Sequence, residues 1–392
     1  MSRAHVRSRL FVLAATVAVL PAVLMAQGSE PARTIDFSGV LFANFNYRTD
    51  SATKAANGGK AGSRFDVDRV YLTFRMPAGD RASVRVTTDI FTGDQSSASF
   101  YRGWTARLKY AYLQLNVADD LAGVEGLAAA ARIGMLHTVA IEHEEGFWPR
   151  YLGTVGIDRN SFFSSSDVGA ALHVTLPNRM GEAYGVITNG PGYTATETDR
   201  FKDFALRVSL SPFANGETLN GFAKSIALTG WVYAGQTASR FRTGGEGQVG
   251  PVSDGLARNR LGVFAGVKDR RVTAGVSHAR RTETTEAGEN TEANPRRTTD
   301  VSGSLTSLFA LVRPGAWRDP VSRAARWGLV ARLDTFTPDT DADPASRFTV
   351  FGVFWEPTSR VTFSLDHQAQ ARVNGSTTPE SSILFARLQA LF

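Results

Sequence analysis

The densest collection of chemically able side chains is His137–Ser166, HTVAIEHEEGFWPRYLGTVGIDRNSFFSSS. It holds Glu142, Glu144 and Glu145, the arginines Arg150 and Arg159, and five aromatics, Phe147, Trp148, Tyr151, Phe162 and Phe163. Carboxylates at that spacing, faced by guanidinium groups, make a local field that sorts ions by sign. They do not make a metal centre. The six histidines are scattered, and only His137 and His143 share this stretch, without ligand spacing. Asp339, Asp341 and Asp343 open like a calcium loop, but Pro344 stands where the sharp-turn glycine is needed and no glutamate closes it. Catalysis finds little material either. Ser277-His278 and Asp366-His367 are the nearest approach to a hydrolytic set, and there is no cysteine for a thiolate nucleophile or a disulfide. The residues point to no enzyme, no metal and no cofactor.

Thirty residues without a period of their own need a scaffold, and the rest of the chain supplies strands. In RFDVDRVYLTFRMP, Val70, Leu72, Phe74 and Met76 alternate with Arg69, Tyr71, Thr73 and Arg75. After the turn Pro77–Asp80, Ala82, Val84, Val86 and Ile90 alternate with Ser83, Arg85, Thr87 and Asp89. Period two is the mark of a strand with two different faces. About sixteen such segments run from Thr34–Arg48 to Ser382–Phe392. Their polar faces collect Arg69, Arg75, Arg85, Arg132, Arg207, Arg332 and Arg387, together with Asp89, Asp203, Asp334 and Asp366. A small dry core cannot hold that many charges, whereas a barrel with a wet lumen can. The expected class is therefore all-β, a transmembrane antiparallel up-and-down barrel with these charges lining a pore.

The ends and connections agree. Arg3, His5, Arg7 and Arg9 precede an apolar run from Leu10 to Leu24 and then Met25-Ala26-Gln27, the pattern of a cleaved signal peptide over residues 1–26. The run is too short to span a bilayer as a helix, and no second one follows. Removing that leader leaves 40 Lys+Arg against 37 Asp+Glu, with no basic block interleaved with aromatics, so nucleic acid is not an expected partner. With the N-terminus inside, every second connection should be a short periplasmic turn and the others longer external loops. Pro77–Asp80, Pro177–Gly181, Asp269–Arg270 and Pro357–Thr358 are short; Thr49–Ser63, Thr92–Thr105, His137–Ser166, Thr237–Ala257 and Thr282–Thr298 are long. Ala118–Ala129, Pro212–Ala223 and Pro314–Ala325 are longer than the rule allows, and Thr282–Thr298 reads as polar and mobile.

Two resemblances follow from these residues. The final strand, SSILFARLQALF, ends on Phe392 and resembles the C-terminal signal of outer-membrane β-barrels, which the assembly machinery reads. The stretches FDVDRVYLTFR (Phe65–Arg75) and RIGMLHTVAIEHE (Arg132–Glu144) resemble the phosphate-selective porin O/P family. That resemblance implies a sixteen-stranded, trimeric diffusion channel in the outer membrane for small hydrophilic solutes or ions. As in general porins, the third external loop, here 137–166, would fold inward and narrow the pore. Glu142, Glu144 and Glu145 would then present an acidic face met by Arg150 and Arg159. The loop has no lysine, unlike anion-selective members, so phosphate selectivity is not carried over. The competing expectation is a plugged barrel serving as a structural protein or adhesin.

Overall fold

The computed structural model describes residues 34–92, 103–216, 219–342 and 345–392. The leader 1–26 and the last members of the calcium-like rhythm, Asp343 and Pro344, lie outside them, as does most of the second long connection. The first eight strands are β1 (Asp36–Arg48), β2 (Gly62–Pro77), β3 (Ala82–Thr92), β4 (Trp104–Ala118), β5 (Ala128–His137), β6 (Ser166–Thr175), β7 (Gly181–Thr188) and β8 (Asp203–Leu210). The next eight are β9 (Ala227–Ala238), β10 (Gly255–Lys268), β11 (Val272–Ala287), β12 (Arg297–Val312), β13 (Trp327–Thr337), β14 (Ala345–Thr358), β15 (Val361–Val373) and β16 (Ser381–Leu391). Each pairs antiparallel with its sequence neighbours, and β1 pairs with β16, so the sheet closes with no free edge.

The alternation sorts as the sequence requires. On β8, Phe204, Leu206, Val208 and Leu210 are 40–56% exposed on the outer wall, while Asp203, Arg207 and Ser209 are buried toward the axis. An exposed apolar wall around a charged interior is stable only when hydrocarbon replaces water outside. Aromatics gather at the short-turn end of that wall: Trp327 stacks on Trp355, Trp355 on Phe363, and Phe37 lies against Phe74 and Phe392. These rings mark a membrane–water interface.

The closing seam depends on one glycine. Gly39 and Phe392 exchange backbone hydrogen bonds of 2.7 and 3.0 Å, and the Phe392 ring lies against Gly39. A Cβ on Gly39 would stand 2.3 Å from two atoms of that ring. Gly39→Val is therefore expected to lower the yield of closed barrel, measured as heat-modifiable migration on gels. A yield equal to that of the unaltered chain would show that the ring has no part in closure.

One expectation changes. Residues 282–298 are not a mobile loop: β11 and β12 stay in register out to Ala287 opposite Arg297, leaving only 288–296 as the connection. Cross-strand bonds from Thr282 to Ser302 and from Thr284 to Asp300 hold this polar extension together. The three long connections at the short-turn end carry short helical turns: Leu121–Gly123, Gly221–Lys224, Pro314–Trp317 and Ala324–Arg326.

Candidate functional site

Residues 138–165 leave β5 and return to β6 through a narrow neck, in which Thr138 donates from its backbone N to Ser165 O (3.2 Å) and from Oγ1 to Ser164 O (2.7 Å). Between these points the chain makes a five-residue helix, Ile141–Glu145, a 3-10 turn, Arg150–Leu152, and a helical turn, Gly156–Arg159. The rest is irregular, so its carbonyls need partners from elsewhere. Inward-facing side chains of the wall supply them. Lys268 Nζ donates to Gly146 O (2.7 Å), Arg387 Nη1 to Tyr151 O (3.1 Å), Gln368 Nε2 to Leu152 O (2.8 Å) and Arg332 Nη1 to Thr154 O (2.7 Å). Arg281 Nη1 donates to Asn160 O (3.2 Å) and Arg260 to Phe162 O. The donors sit on β10, β11, β13, β15 and β16, across the barrel from the neck.

Apolar contacts complete the attachment. Trp148, fully buried, meets Phe309 edge-on at 5.3 Å, Phe147 meets Phe264 at 4.9 Å, and Phe163 packs between Trp231 and Tyr233. Leu152, Ile157 and Phe162 have no exposed surface. Of the five aromatics singled out in the sequence, Trp148, Tyr151, Phe162 and Phe163 are buried, while Phe147 is half-buried and borders an open space.

The candidate residues separate into groups. Glu142 pairs with His137 (2.7 Å) and Arg85 (3.6 Å); burial opposes its ionisation, but these partners prevail and pull it down to about 2. Glu145 pairs with Arg150 (3.2 Å), and burial raises its pKa against the pull of Lys109 and Arg150. Glu144 lies beneath the segment, 3% exposed, with Oε1 unpartnered; burial raises it to about 8 although Arg332 is near. The single acidic face expected from the sequence does not form, because a five-residue helix points its successive side chains in different directions. Among the described residues Arg159 meets no glutamate. It lies 3.5 Å over the Phe348 ring and donates to Gln370 Oε1 (3.1 Å), and burial followed by Arg332 lowers it to about 10.

The wall residues divide likewise. Arg69 and Arg107 both bind Asp89. Arg132 donates to Gln114 Oε1 (2.9 Å), and Arg207 binds Glu182 (2.7 Å). Arg75 lies toward the short-turn end, opposite Arg85 in the ladder and half-exposed beside Asp36 (3.4 Å). Arg332 and Arg387 face inward as expected yet are sequestered from water. Arg332 forks onto Asp334 (2.8 and 2.6 Å), and Arg387 binds Asp366 (3.1 Å) while fastening the segment. The dipeptides weighed for hydrolysis split across the wall: Ser277 and Asp366 face inward, His278 bonds Thr306 and His367 bonds Ser382 outside.

Lys109 was not among the expected residues. Thr87 faces Tyr110 and Thr88 faces Leu108, so Lys109 is the extra residue of a β-bulge. The bulge turns Lys109 and Tyr110 to the same inner side, where Lys109 Nζ donates to Tyr71 Oη (3.3 Å) and lies 4.4 Å from that ring. No carboxylate lies within ion-pair distance of it among the described residues. The signal was present in the sequence as a break in phase: Thr105, Arg107 and Lys109 are followed by Tyr110, Tyr112 and Gln114. A second bulge, at Asp68 on β2, turns that carboxylate inward to Arg387 (3.5 Å).

Open space remains beside the segment. A cavity of about 440 Å³ is lined by Arg69, Tyr71, Lys109, Arg150, Tyr193 and Arg260 among others. A second, of about 340 Å³, holds His137, His143, His173, Glu142 and Glu182. At the short-turn end a third, of about 960 Å³, is bordered by Lys268, Arg313 and Glu356.

No family model and no curated protein sequence matches the chain. Solved structures do match in fold. The anion-selective porin from Comamonas acidovorans is similar at a TM-score of 0.59 and 9% identity, over 92% of this chain and 100% of that one. The outer-membrane channel DcaP of Acinetobacter baumannii gives 0.59 and 9%, over 93% and 99%. OprB of Pseudomonas putida gives 0.58 and 9%, over 91% and 94%. The chain therefore has the closed sixteen-stranded fold of the outer-membrane porins.

Proposed function

We propose that this chain is an outer-membrane porin, a water-filled channel for passive diffusion of small hydrophilic solutes or ions, narrowed by residues 137–166. The observation that carries this reading is a charged, partly open interior inside an apolar wall, crossed by a segment bound to the far side. The barrel works as a homotrimer, as one neighbour of this fold, OmpT of Vibrio cholerae, is described in a trimer form. The signal peptide 1–26 exports the chain, and Phe392 presents the closing strand to the barrel assembly machinery. No cofactor is used. Phosphate selectivity is not part of the proposal.

Planar-bilayer recording from folded, purified protein tests it: stepwise conductance is expected, and its absence would leave a plugged barrel with a structural or adhesive role. The selectivity prediction is more specific. Glu142 lines the second cavity and keeps its charge, Glu145 is paired with Arg150, and Glu144 stays protonated up to about pH 8. Replacing Glu142 and Glu145 by glutamine should move the reversal potential in a salt gradient toward anions, and Glu144→Gln should leave it unchanged at neutral pH. An equal effect from Glu144→Gln would refute this assignment of charge.

A further inference from the structure

Three of the six histidines of the chain meet in the second cavity, between the helix Ile141–Glu145 and the wall from β3 to β9. His137, at the end of β5, has Nδ1 2.7 Å from Glu142 and Nε2 3.0 Å from Arg85 of β3. Its ring lies 3.8 Å from Tyr110 and 5.9 Å from Tyr112, both on β4. His143, on the inward segment, has Nε2 2.8 Å from Thr229 Oγ1 of β9 and Nδ1 3.8 Å from Glu182 of β7. Phe147 and Phe264 of β10 flank it. His173 of β6 has Nε2 2.7 Å from Glu182 and Nδ1 3.2 Å from Arg132 of β5, with the Tyr184 ring of β7 at 5.8 Å. Arg207 of β8 completes the set on Glu182 at 2.7 Å.

The arrangement suits protons better than metals. No three ligands converge among the described residues, and three guanidinium groups repel a cation. With neutral imidazoles the cavity lining sets Arg132 and Arg207 against Glu142 and Glu182, and Arg85, behind Glu142 and His137, leaves one positive charge in excess. Each protonated imidazole adds one more, up to four. Such a field in a narrow polar space draws in small anions and repels cations.

We propose that His137, His143 and His173 form a titratable selectivity site, which takes small anions in preference to cations once its imidazoles are protonated. This rests on the channel reading above and names the solute class that acid conditions favour. The sign follows from imidazole chemistry: charge appears as pH falls, so anion preference rises with acidity. Burial and then Arg207 hold His143 down to about 4, so its proton is gained at the acid end of the range. Glu145 and Asp158, both raised by burial, lose charge on acidification and push the same way. A pH shift alone is therefore insufficient evidence, and histidine variants must separate the contributions.

The experiment measures reversal potentials of the full barrel in a potassium chloride gradient, from neutral pH to about pH 4. The unaltered channel is expected to raise its chloride-to-potassium permeability ratio roughly threefold. The variant H137Q/H143Q/H173Q, which keeps hydrogen-bonding capacity without the charge, should lose more than half of that rise. His143→Gln alone should remove the part nearest pH 4, and heat-modifiable migration verifies that each variant is folded. A rise of the same size in folded H137Q/H143Q/H173Q, or in folded His143→Gln at its acid end, overturns the proposal. Conductance with a ratio that does not vary with pH overturns this inference alone, whereas no conductance at any pH overturns the channel reading.

Discussion

Excising residues 141–163 and joining the ends with a short glycine-serine link is expected to raise single-channel conductance several-fold while the barrel still assembles. The ladder that closes the wall runs entirely between strands and uses no residue of this segment. The neck is already closed, with Thr138 bonded to Ser164 and Ser165, so a short link spans it without strain. Removal would open the space now filled by Trp148, Leu152, Ile157 and Phe162, all without exposed surface. It would also return Arg260, Arg281, Arg332 and Gln368 to water, which polar groups tolerate well. Bilayer recording gives the answer. Unchanged conductance through a folded, excised barrel would mean that 137–166 is not the narrowest part of the path.

Arg332→Met is expected to free the same segment without shortening it. Arg332 is buried beneath Trp148, forks onto Asp334, donates to Thr154 O and lies 4.8 Å from the Trp148 ring. Asp334, also buried, would retain only Ser307 as a donor at 2.6 Å. Leaving one member of a buried pair without its partner costs about 3–5 kcal/mol, more than a single surface ion pair contributes. The segment should detach from β13 and let water reach Asp334. Because the chain has no cysteine, a single Val155→Cys change provides a clean reporter. Its thiol, buried in the parent, should be labelled much faster when Arg332→Met is added. Equal labelling rates would show that the apolar contacts alone hold the segment in place.

Much of the fold is legible in the sequence because a barrel wall is a local object. Val70, Leu72, Phe74 and Met76 against Arg69, Tyr71, Thr73 and Arg75 announce both the strand and its two faces, since period two needs only neighbours to be seen. The side on which Arg332 and Arg387 lie follows in the same way. What stands opposite them does not, because Tyr151 O and Thr154 O come from a segment far away in sequence that crosses the lumen. Both arginines were therefore expected in pore water and are found fastening backbone. Lys109 escapes for another reason: strict alternation assigns a fixed side, and one inserted residue reverses it. The polar run 282–298 misleads because Thr and Ser, exposed at a barrel rim, pair as well as apolar residues while lacking the hydrophobic signal.

The attachment of 137–166 has a consequence for how the interior of the barrel can change. From Gly146 to Phe162 the wall grips carbonyl oxygens, which every residue possesses whatever its side chain. Substitutions at Glu142, Glu145 or Asp158 therefore leave these tethers intact. Such exchanges act on the ion pairs with His137, Arg85 and Arg150 and not on the backbone attachment. Fixed donors on the wall thus hold the path of 137–166 independently of the side chains it presents to the interior.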